Sequence, residues 1–239
     1  MKVLVISTVA LEKNGITSVI VNLLQAVDKK DLHFDIVAIK KPLPEIQETL
    51  AALGCKIYVL ERRLLRIHSY VISLSKIIKD EKYDIVHAHG NSSTLFFEML
   101  SALIGNCKIR IAHSHNTTCA SKCLNTVLKP FFKLTYTDGM ACGQDAGRWM
   151  FGSHSFTVIK NGINVNRFRY DLSKRIEIRE KYFIPDDAIV IGHVGMFNNL
   201  KNHRFLLDIY RDIYRFNPNI HLMLVGDGPL KLDFQNKIQ

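Results

Sequence analysis

The sequence contains little cysteine, proline or tryptophan: its 239 residues include 5 Cys, 6 Pro and 1 Trp. Disulfide-stabilised scaffolds are short and dense in cysteine, and an odd number spread over a long chain does not fit that class. We therefore expect free thiols in a reducing cytoplasm. With 47% hydrophobic residues the composition is that of a globular protein, which excludes collagen-like, coiled-coil and disordered chains.

Long hydrophobic runs are also missing. No stretch approaches the roughly 18 apolar residues that a membrane-spanning helix needs. The apolar run from Val3 to Leu11 ends at Glu12 without a small-residue cleavage site, so a buried first strand explains it better than a secretion signal. The sequence therefore predicts a soluble or peripheral protein of the cytoplasm.

Acidic residues are outnumbered, 22 against 32 basic ones, which gives a net charge of +10. Such a surface suits a nucleotide, an anionic lipid headgroup or nucleic acid. The sequence has no recognition-helix, zinc-finger or RNP pattern, so we expect no nucleic-acid partner. The basic, apolar stretch from Arg62 to Lys82 allows two interpretations: a helix on the cytoplasmic face of an anionic membrane, or a helix packed on its own sheet.

Apolar runs of strand length alternate with stretches of helical period, which predicts an α/β fold with a parallel sheet. The predicted strands are 3–7, 34–39, 56–60, 84–87, 109–113, 139–142 and 156–159, and the predicted helices are 15–27, 44–53, 67–79, 93–104 and 121–135.

A turn at Asn161-Gly162 and the polar stretch after it predict a boundary between a domain 1–168 and a domain 169–239. In residues 169–239 the sequence predicts strands at 189–195 and 220–226 and helices at 202–216 and 229–239. Two parallel strands with one crossover cannot bury both faces of a sheet, so the second domain is expected to be incomplete.

Ligands of open parallel sheets collect at the carboxyl ends of the strands. Gly15 follows the first strand, where it either lets the backbone approach a phosphate or simply turns the chain. The G-x-G-x-x-G spacing of a standard dinucleotide-binding loop is missing. Lys201 lies where a later helix begins, either as a point charge for a phosphate or as a solvated lysine. The segment from Gly226 to Pro229 predicts a tight turn.

Two His-x-His sequences, His87-Ala-His89 and His113-Ser-His115, each end a predicted strand. Residues two apart share a face of a strand, so four imidazoles could converge if these strands are neighbours. One hypothesis is a metal-dependent hydrolase; against it, Asp84 precedes its strand and Glu98 falls within a helix, so no carboxylate supplements the set. The other is a histidine that hydrogen-bonds substrate.

The order of these motifs resembles the retaining glycosyltransferases of family 4, which have the GT-B fold of two Rossmann-like domains facing each other across a cleft. The segments that carry the resemblance are Val3–Ile6 with Asn14–Ile16, Asp84–His89, Ile111–Asn116, Val158–Phe168, Gly192–Asn202 and Leu224–Pro229. The resemblance covers nearly the whole chain and is greatest for members that build capsular or other exopolysaccharides.

The resemblance implies transfer of a sugar from a nucleotide-diphosphate sugar, most often a uridine one, to a saccharide or lipid-linked acceptor, with retained anomeric configuration and without cofactor or metal. It implies that His115 is catalytic and hydrogen-bonds the transferred sugar, and that Gly15, Lys201 and Asn202 bind the donor. The remaining candidates for the cleft are Asn14, His89, Asn116, Asn161 and Gly162.

Two departures from the family pattern are visible. Met196 stands where the family usually has an arginine, and the family's pair of glutamates eight residues apart would lie beyond Gln239. We therefore expect either a piece of a longer enzyme or a truncated homologue. A non-catalytic protein that binds an acceptor or a membrane is the alternative function.

Overall fold

The computed structural model describes residues 1–61 and 63–238. The chain divides into two compact units, Met1–Val165 and Asn166–Gln239, whereas the sequence predicted a boundary at 168–169.

The first unit is built on one parallel sheet of seven strands in the order β3-β2-β1-β4-β5-β6-β7. The strands are β1 Lys2–Ser7, β2 His33–Ala38, β3 Ile57–Val59, β4 Ile85–Gly90, β5 Ile109–Ser114, β6 Asp138–Ala141 and β7 Thr157–Val158. The helices are α1 Gly15–Ala26, α2 Pro44–Ala52, α3 Ile67–Glu81, α4 Phe96–Ile104, α5 Lys122–Lys133 and α6 Gln144–Phe151. The predicted α/β fold with a parallel sheet is confirmed.

Alternating side chains of the strands divide the core into two clusters. Val3 and Val5 of β1 pack with residues of α1 and α2, whereas Leu4 and Ile6 pack with residues of α3, α4, α5 and α6. Val86 and Ala88 of β4 belong to the second cluster. Because side chains alternate along a strand, the histidines between and after them face the α1 side of the sheet.

Two helices were not predicted. The helix α6 is short and contains Gly147, although glycine is a poor helix former. An added Cβ at this position would lie 2.0 Å from the Phe156 ring, so close packing requires a glycine here. The helix α7, Leu172–Lys181, falls in the stretch that the sequence predicted to be irregular. Asp171 caps it by accepting a hydrogen bond from the Lys174 amide, and none of its residues is buried.

The helix α3 packs on its own sheet, as one of the two interpretations of the basic, apolar stretch predicts. Tyr70, Leu74 and Ile78 are buried in the core, and Ile72 is the exposed apolar residue on a face otherwise made of polar side chains. Arg62, at the start of that stretch, lies outside the described residues. Within the described part of the chain, no helix is long and apolar enough to cross a bilayer.

The second unit contains two parallel strands, β8 Ile189–Val194 and β9 Ile220–Val225, paired along their whole length. Besides α7 it contains α8 His203–Phe216 and α9 Lys231–Ile238, and Gln239 lies outside the described residues. Apolar side chains such as Val194 and Phe216 remain largely exposed on this unit.

Candidate active site

The loop after β1 leads into α1 through Asn14 and Gly15. The Asn14 side chain caps α1, since its Oδ1 accepts hydrogen bonds from the amide and hydroxyl of Thr17 at 3.0 and 3.1 Å. Gly15 is the exposed first residue of α1, and an added Cβ there would meet no atom within 4 Å. Packing within the chain therefore does not require glycine at this position.

The four histidines of β4 and β5 converge as a ladder on the α1 side of the sheet, which confirms the predicted juxtaposition. His89 and His113 lie opposite each other in the strand register. His87 Nε2 lies 3.1 Å from His113 Nδ1, and His89 Nδ1 lies 2.8 Å from His115 Nε2. Each pair shares one hydrogen bond, so one nitrogen donates and the other accepts.

Burial keeps the ladder uncharged. Loss of hydration lowers the pKa of His87 and of His115 to about 4 and that of His113 to about 2, and repulsion between neighbouring rings adds to the effect at His87 and His113. The pKa of His89 lies well below its usual range, mainly because the ring is buried. Repulsion from the other three rings lowers it further. At neutral pH these side chains are therefore neutral hydrogen-bonding groups.

Backbone contacts fix the carboxyl end of β4 beside the end of β1. The amide and hydroxyl of Thr8 donate to the His89 carbonyl at 3.2 and 2.8 Å. A Cβ at Gly90 would lie 2.7 Å from Thr8 Oγ1, so glycine is required for this approach. Sequence reasoning missed Thr8 and Gly90; the glycine directly after His-x-His was the available signal.

The other candidates of the first unit also follow strands. Asn116 is exposed, and its Oδ1 accepts from the Thr117 amide at 2.8 Å. Asn161 and Gly162 are exposed after β7, where Asn22 Nδ2 of α1 donates to the Gly162 carbonyl at 3.1 Å. All follow the carboxyl ends of parallel strands, the edge at which ligands of such sheets bind.

In the second unit, Lys201 and Asn202 follow β8 on a short 3₁₀ turn, Asn199–Lys201. Asn198 caps this turn by accepting from the Lys201 amide at 3.1 Å, and Asn202 adopts a left-handed conformation with φ of 46° before α8 begins. A Cβ built on Gly195 would lie 3.6 Å from Lys201 Cδ, so the exposed lysine side chain crosses the end of β8.

The loops after β8 and β9 pack backbone against backbone. A Cβ on Gly226 would lie 2.0 Å from the Gly195 carbonyl oxygen, and one on Gly228, whose φ is +149°, would lie 2.6 Å from the Phe197 carbonyl oxygen. The Phe197 amide donates to the Asp227 carbonyl at 2.9 Å. The predicted turn after β9 thus supports the loop that carries Lys201.

A buried ion pair holds the segment after β4, and sequence reasoning missed it. Arg63 Nε and Nη2 donate to the two Glu98 oxygens, each at 2.5 Å, and Nη2 also donates to the Thr94 carbonyl at 2.7 Å. Both side chains are buried. The sequence placed Glu98 in a helix and too far from the histidines to serve a metal, but gave no signal for its partner.

Comparison with known proteins identifies the family. Residues 13–167 match the model of Glycosyltransferase Family 4. The chain belongs to this family. The match includes Gly15 and all four histidines of the ladder, and it ends before Lys201.

Two curated proteins are similar in sequence. EpsF of Bacillus subtilis (strain 168), a presumed glycosyltransferase, is 28% identical over 233 residues, which cover 92% of this chain and 60% of EpsF. The Escherichia coli UDP-Gal:alpha-D-GlcNAc-diphosphoundecaprenol alpha-1,3-galactosyltransferase is 25% identical over 189 residues, 74% of this chain and 49% of that enzyme. The chain thus spans about half to three fifths of the length of these relatives.

Solved structures share the fold. Anabaena HepE in complex with UDP has a TM-score of 0.77 at 16% identity, covering 100% of this chain and 64% of HepE. A glycosyltransferase from Rickettsia africae has a TM-score of 0.74 at 14% identity, covering 99% of this chain and 63% of that protein. These likenesses confirm the predicted Rossmann-like fold of GT-B type.

We expect the histidine ladder to make stability depend on pH. The unfolded histidines titrate near pH 6.5, whereas the folded values of His87 and His115 are about 4. Below pH 6.5 the unfolded chain therefore binds more protons, and the free energy of unfolding falls as pH falls, by up to about 1.4 kcal/mol per pH unit for each such histidine.

Urea denaturation between pH 6.5 and about 5, above the range in which most carboxylates titrate, measures this slope. Replacing His87 by glutamine removes one of the titrating groups and should flatten the profile. A slope that is already zero in the unmodified chain would contradict the uncharged, buried ladder.

Proposed function

We propose that the chain is the part of a glycosyltransferase that transfers a sugar from a nucleotide-diphosphate sugar to a saccharide or lipid-linked acceptor, with retention of anomeric configuration. The observation that carries this proposal is the family match over residues 13–167. The E. coli relative, whose name specifies UDP-Gal and a diphosphoundecaprenol acceptor, and the HepE complex with UDP support a uridine donor and a lipid-linked acceptor.

In this proposal Lys201 stabilises the leaving group. As the anomeric bond breaks, negative charge develops on the diphosphate, and fixed cations and N–H dipoles lower the energy of that state. Lys201 is exposed, beside Gly195, and on a turn held by the Asn198 cap and by the loop after β9. Asn202 completes the donor loop. In this proposal Lys201 and nearby N–H groups take this role, and the reaction uses no metal or other cofactor.

His115 is proposed to hydrogen-bond the transferred sugar. Its Nε2 is engaged with His89 Nδ1, and its Nδ1 is a buried polar atom without a hydrogen-bond partner among the described residues. A neutral imidazole held by a second neutral imidazole offers the sugar one oriented donor or acceptor. Gly15 would admit a donor phosphate or the acceptor next to the start of α1, where the helix dipole favours an anion.

We also infer that the protein acts in the cytoplasm, at the cytoplasmic face of the membrane where a lipid-linked acceptor would be presented. The exposed side chains of Leu64 and Leu65 beside Arg66, together with the net charge of +10, support contact with an anionic surface.

Donor binding tests the proposal. Calorimetric titration with uridine diphosphate should show saturable binding in the micromolar to millimolar range, and Lys201→Ala should weaken it about tenfold or more, because a charge-assisted contact contributes roughly 1.4 kcal/mol or more. Lys181→Ala, at another exposed lysine of the second unit, is the matched control. Absence of binding at millimolar ligand, or equal loss in both variants, would favour the non-catalytic, acceptor-binding alternative.

A second prediction isolates the role of His115. The variant His115→Ala should weaken binding of a uridine-diphosphate sugar by roughly five- to tenfold, the size of one hydrogen bond, and should weaken binding of free uridine diphosphate much less. His154→Ala, at an exposed histidine, serves as the control. Equal effects on both ligands would show that His115 does not contact the sugar.

A further inference from the structure

We propose that His87, His89 and His113 form a binding site for a zinc ion on the α1 side of the sheet. One ring nitrogen from each residue can be chosen so that all three lie within 4.8 Å of one another. Zinc binds imidazole nitrogen at about 2.0–2.1 Å, so the nitrogens of a tetrahedral site lie about 3.4 Å apart. The three rings must rotate to bring these nitrogens to that spacing.

The strands preorganise the three rings. His87 and His89 lie two residues apart on one strand, and His113 lies opposite His89 on the next strand. Three histidines with an open fourth position are a known ligand set for zinc, and no carboxylate is needed to complete it.

A buried polar atom indicates that the ladder is incomplete by itself. His113 is fully buried, and its Nε2 has no hydrogen-bond partner among the described residues. Such atoms are rare in folded proteins because an unmade hydrogen bond costs free energy, and a bound ion is one explanation for them. The low pKa values of the rings are compatible with this role, since a histidine must be neutral to bind a metal.

The surroundings supply what a zinc site needs beyond its ligands. His115 Nε2 contacts His89 Nδ1 at 2.8 Å, which fixes the ring of His89 and leaves its Nε2 for the metal. A cavity of about 200 Å³ adjoins the three histidines, and apolar residues line most of its remaining wall, among them Ile20, Leu24, Phe34 and Met140. This cavity gives a water molecule access to the fourth position.

The ligand set selects the metal. Imidazole nitrogen suits zinc and neighbouring transition metals, whereas calcium and magnesium require oxygen ligands, which this cluster lacks among the described residues. The proposal does not rest on the proposed sugar transfer, because zinc binding and donor binding are measured separately. The zinc ligand His89 contacts His115, the proposed sugar contact, whereas Lys201 and Asn202 are not part of the zinc site.

Zinc titration of the tag-free, metal-stripped chain by calorimetry tests the site, with cobalt as a visible spectroscopic probe. We expect one ion per chain and the intense bands of tetrahedral cobalt. His115→Ala removes the hydrogen-bond partner of a ligand and should lower the zinc affinity roughly 10- to 100-fold. His113→Asn removes a ligand itself and should lower the affinity by more than that. The control His68→Ala alters an exposed histidine on α3 and should change nothing.

Binding that all three variants leave unchanged, or binding that His68→Ala abolishes, would overturn the proposal. Because His113→Asn could also disturb folding, X-ray absorption on the unmodified, zinc-loaded chain gives an independent result. Three imidazole nitrogens at about 2.0–2.1 Å from zinc would support the site. One imidazole or none would identify adventitious zinc on exposed side chains and refute it.

Discussion

Replacing Glu98 by alanine is expected to lower the free energy of unfolding of the first unit by about 3–5 kcal/mol, because it leaves the guanidinium of Arg63 buried without its counter-ion. Glu98 is 0% exposed and accepts two hydrogen bonds from Arg63, which also binds the Thr94 carbonyl. Urea denaturation followed by circular dichroism measures the change.

Two further variants separate charge burial from packing. The double variant Arg63→Met, Glu98→Leu removes both charges and should recover most of the lost stability, since a buried ion pair is often no better than apolar residues of similar volume. Asp208→Ala breaks an exposed ion pair with Arg211 and should leave the midpoint nearly unchanged. If Glu98→Ala cost no more than Asp208→Ala, the buried pair would not hold the segment after β4.

Replacing Gly226 by alanine should destabilise the second unit by about 3 kcal/mol and abolish the binding of uridine diphosphate. The added Cβ would lie 2.0 Å from the Gly195 carbonyl oxygen, so the backbone of one loop must move away from the other. That movement displaces the loop that carries Lys201. Thermal unfolding and the donor titration measure the two effects.

Gly192 offers a matched control within the same unit. It lies in β8, and an added Cβ there would meet no atom within 4 Å. Gly192→Ala should therefore leave stability and donor binding close to those of the unmodified chain. Equal behaviour of the two alanine variants would contradict the proposed support of the Lys201 loop by the turn after β9.

The predictable part of the fold is the part with a strong hydrophobic period. The helix α1 and the strand β1 were predicted within one residue of their observed ends because their apolar residues fill the core, among them Ile16, Ile20 and Leu24. The helix α6 could not be predicted in this way, because Gly147 interrupts its propensity and its packing partner is Phe156, beyond its own segment.

The same distinction applies to the site. The spacing of two residues placed His87 with His89 and His113 with His115, and neighbouring parallel strands then brought the pairs together. Contacts between distant segments left no such pattern: the pairing of Arg63 with Glu98 and the approach of Gly226 to Gly195 depend on how separate loops fold over one another. These features follow from tertiary packing, which local spacing does not encode.

The central claim, that a nucleoside diphosphate binds at the loop after β8, is tested most directly by residue-resolved NMR of the labelled chain. Titration with uridine diphosphate should shift the amide signals of Gly195, Lys201 and Asn202, and uridine, which lacks the phosphates, should leave them in place. No shifts at millimolar uridine diphosphate, or the same shifts with uridine, would contradict the account.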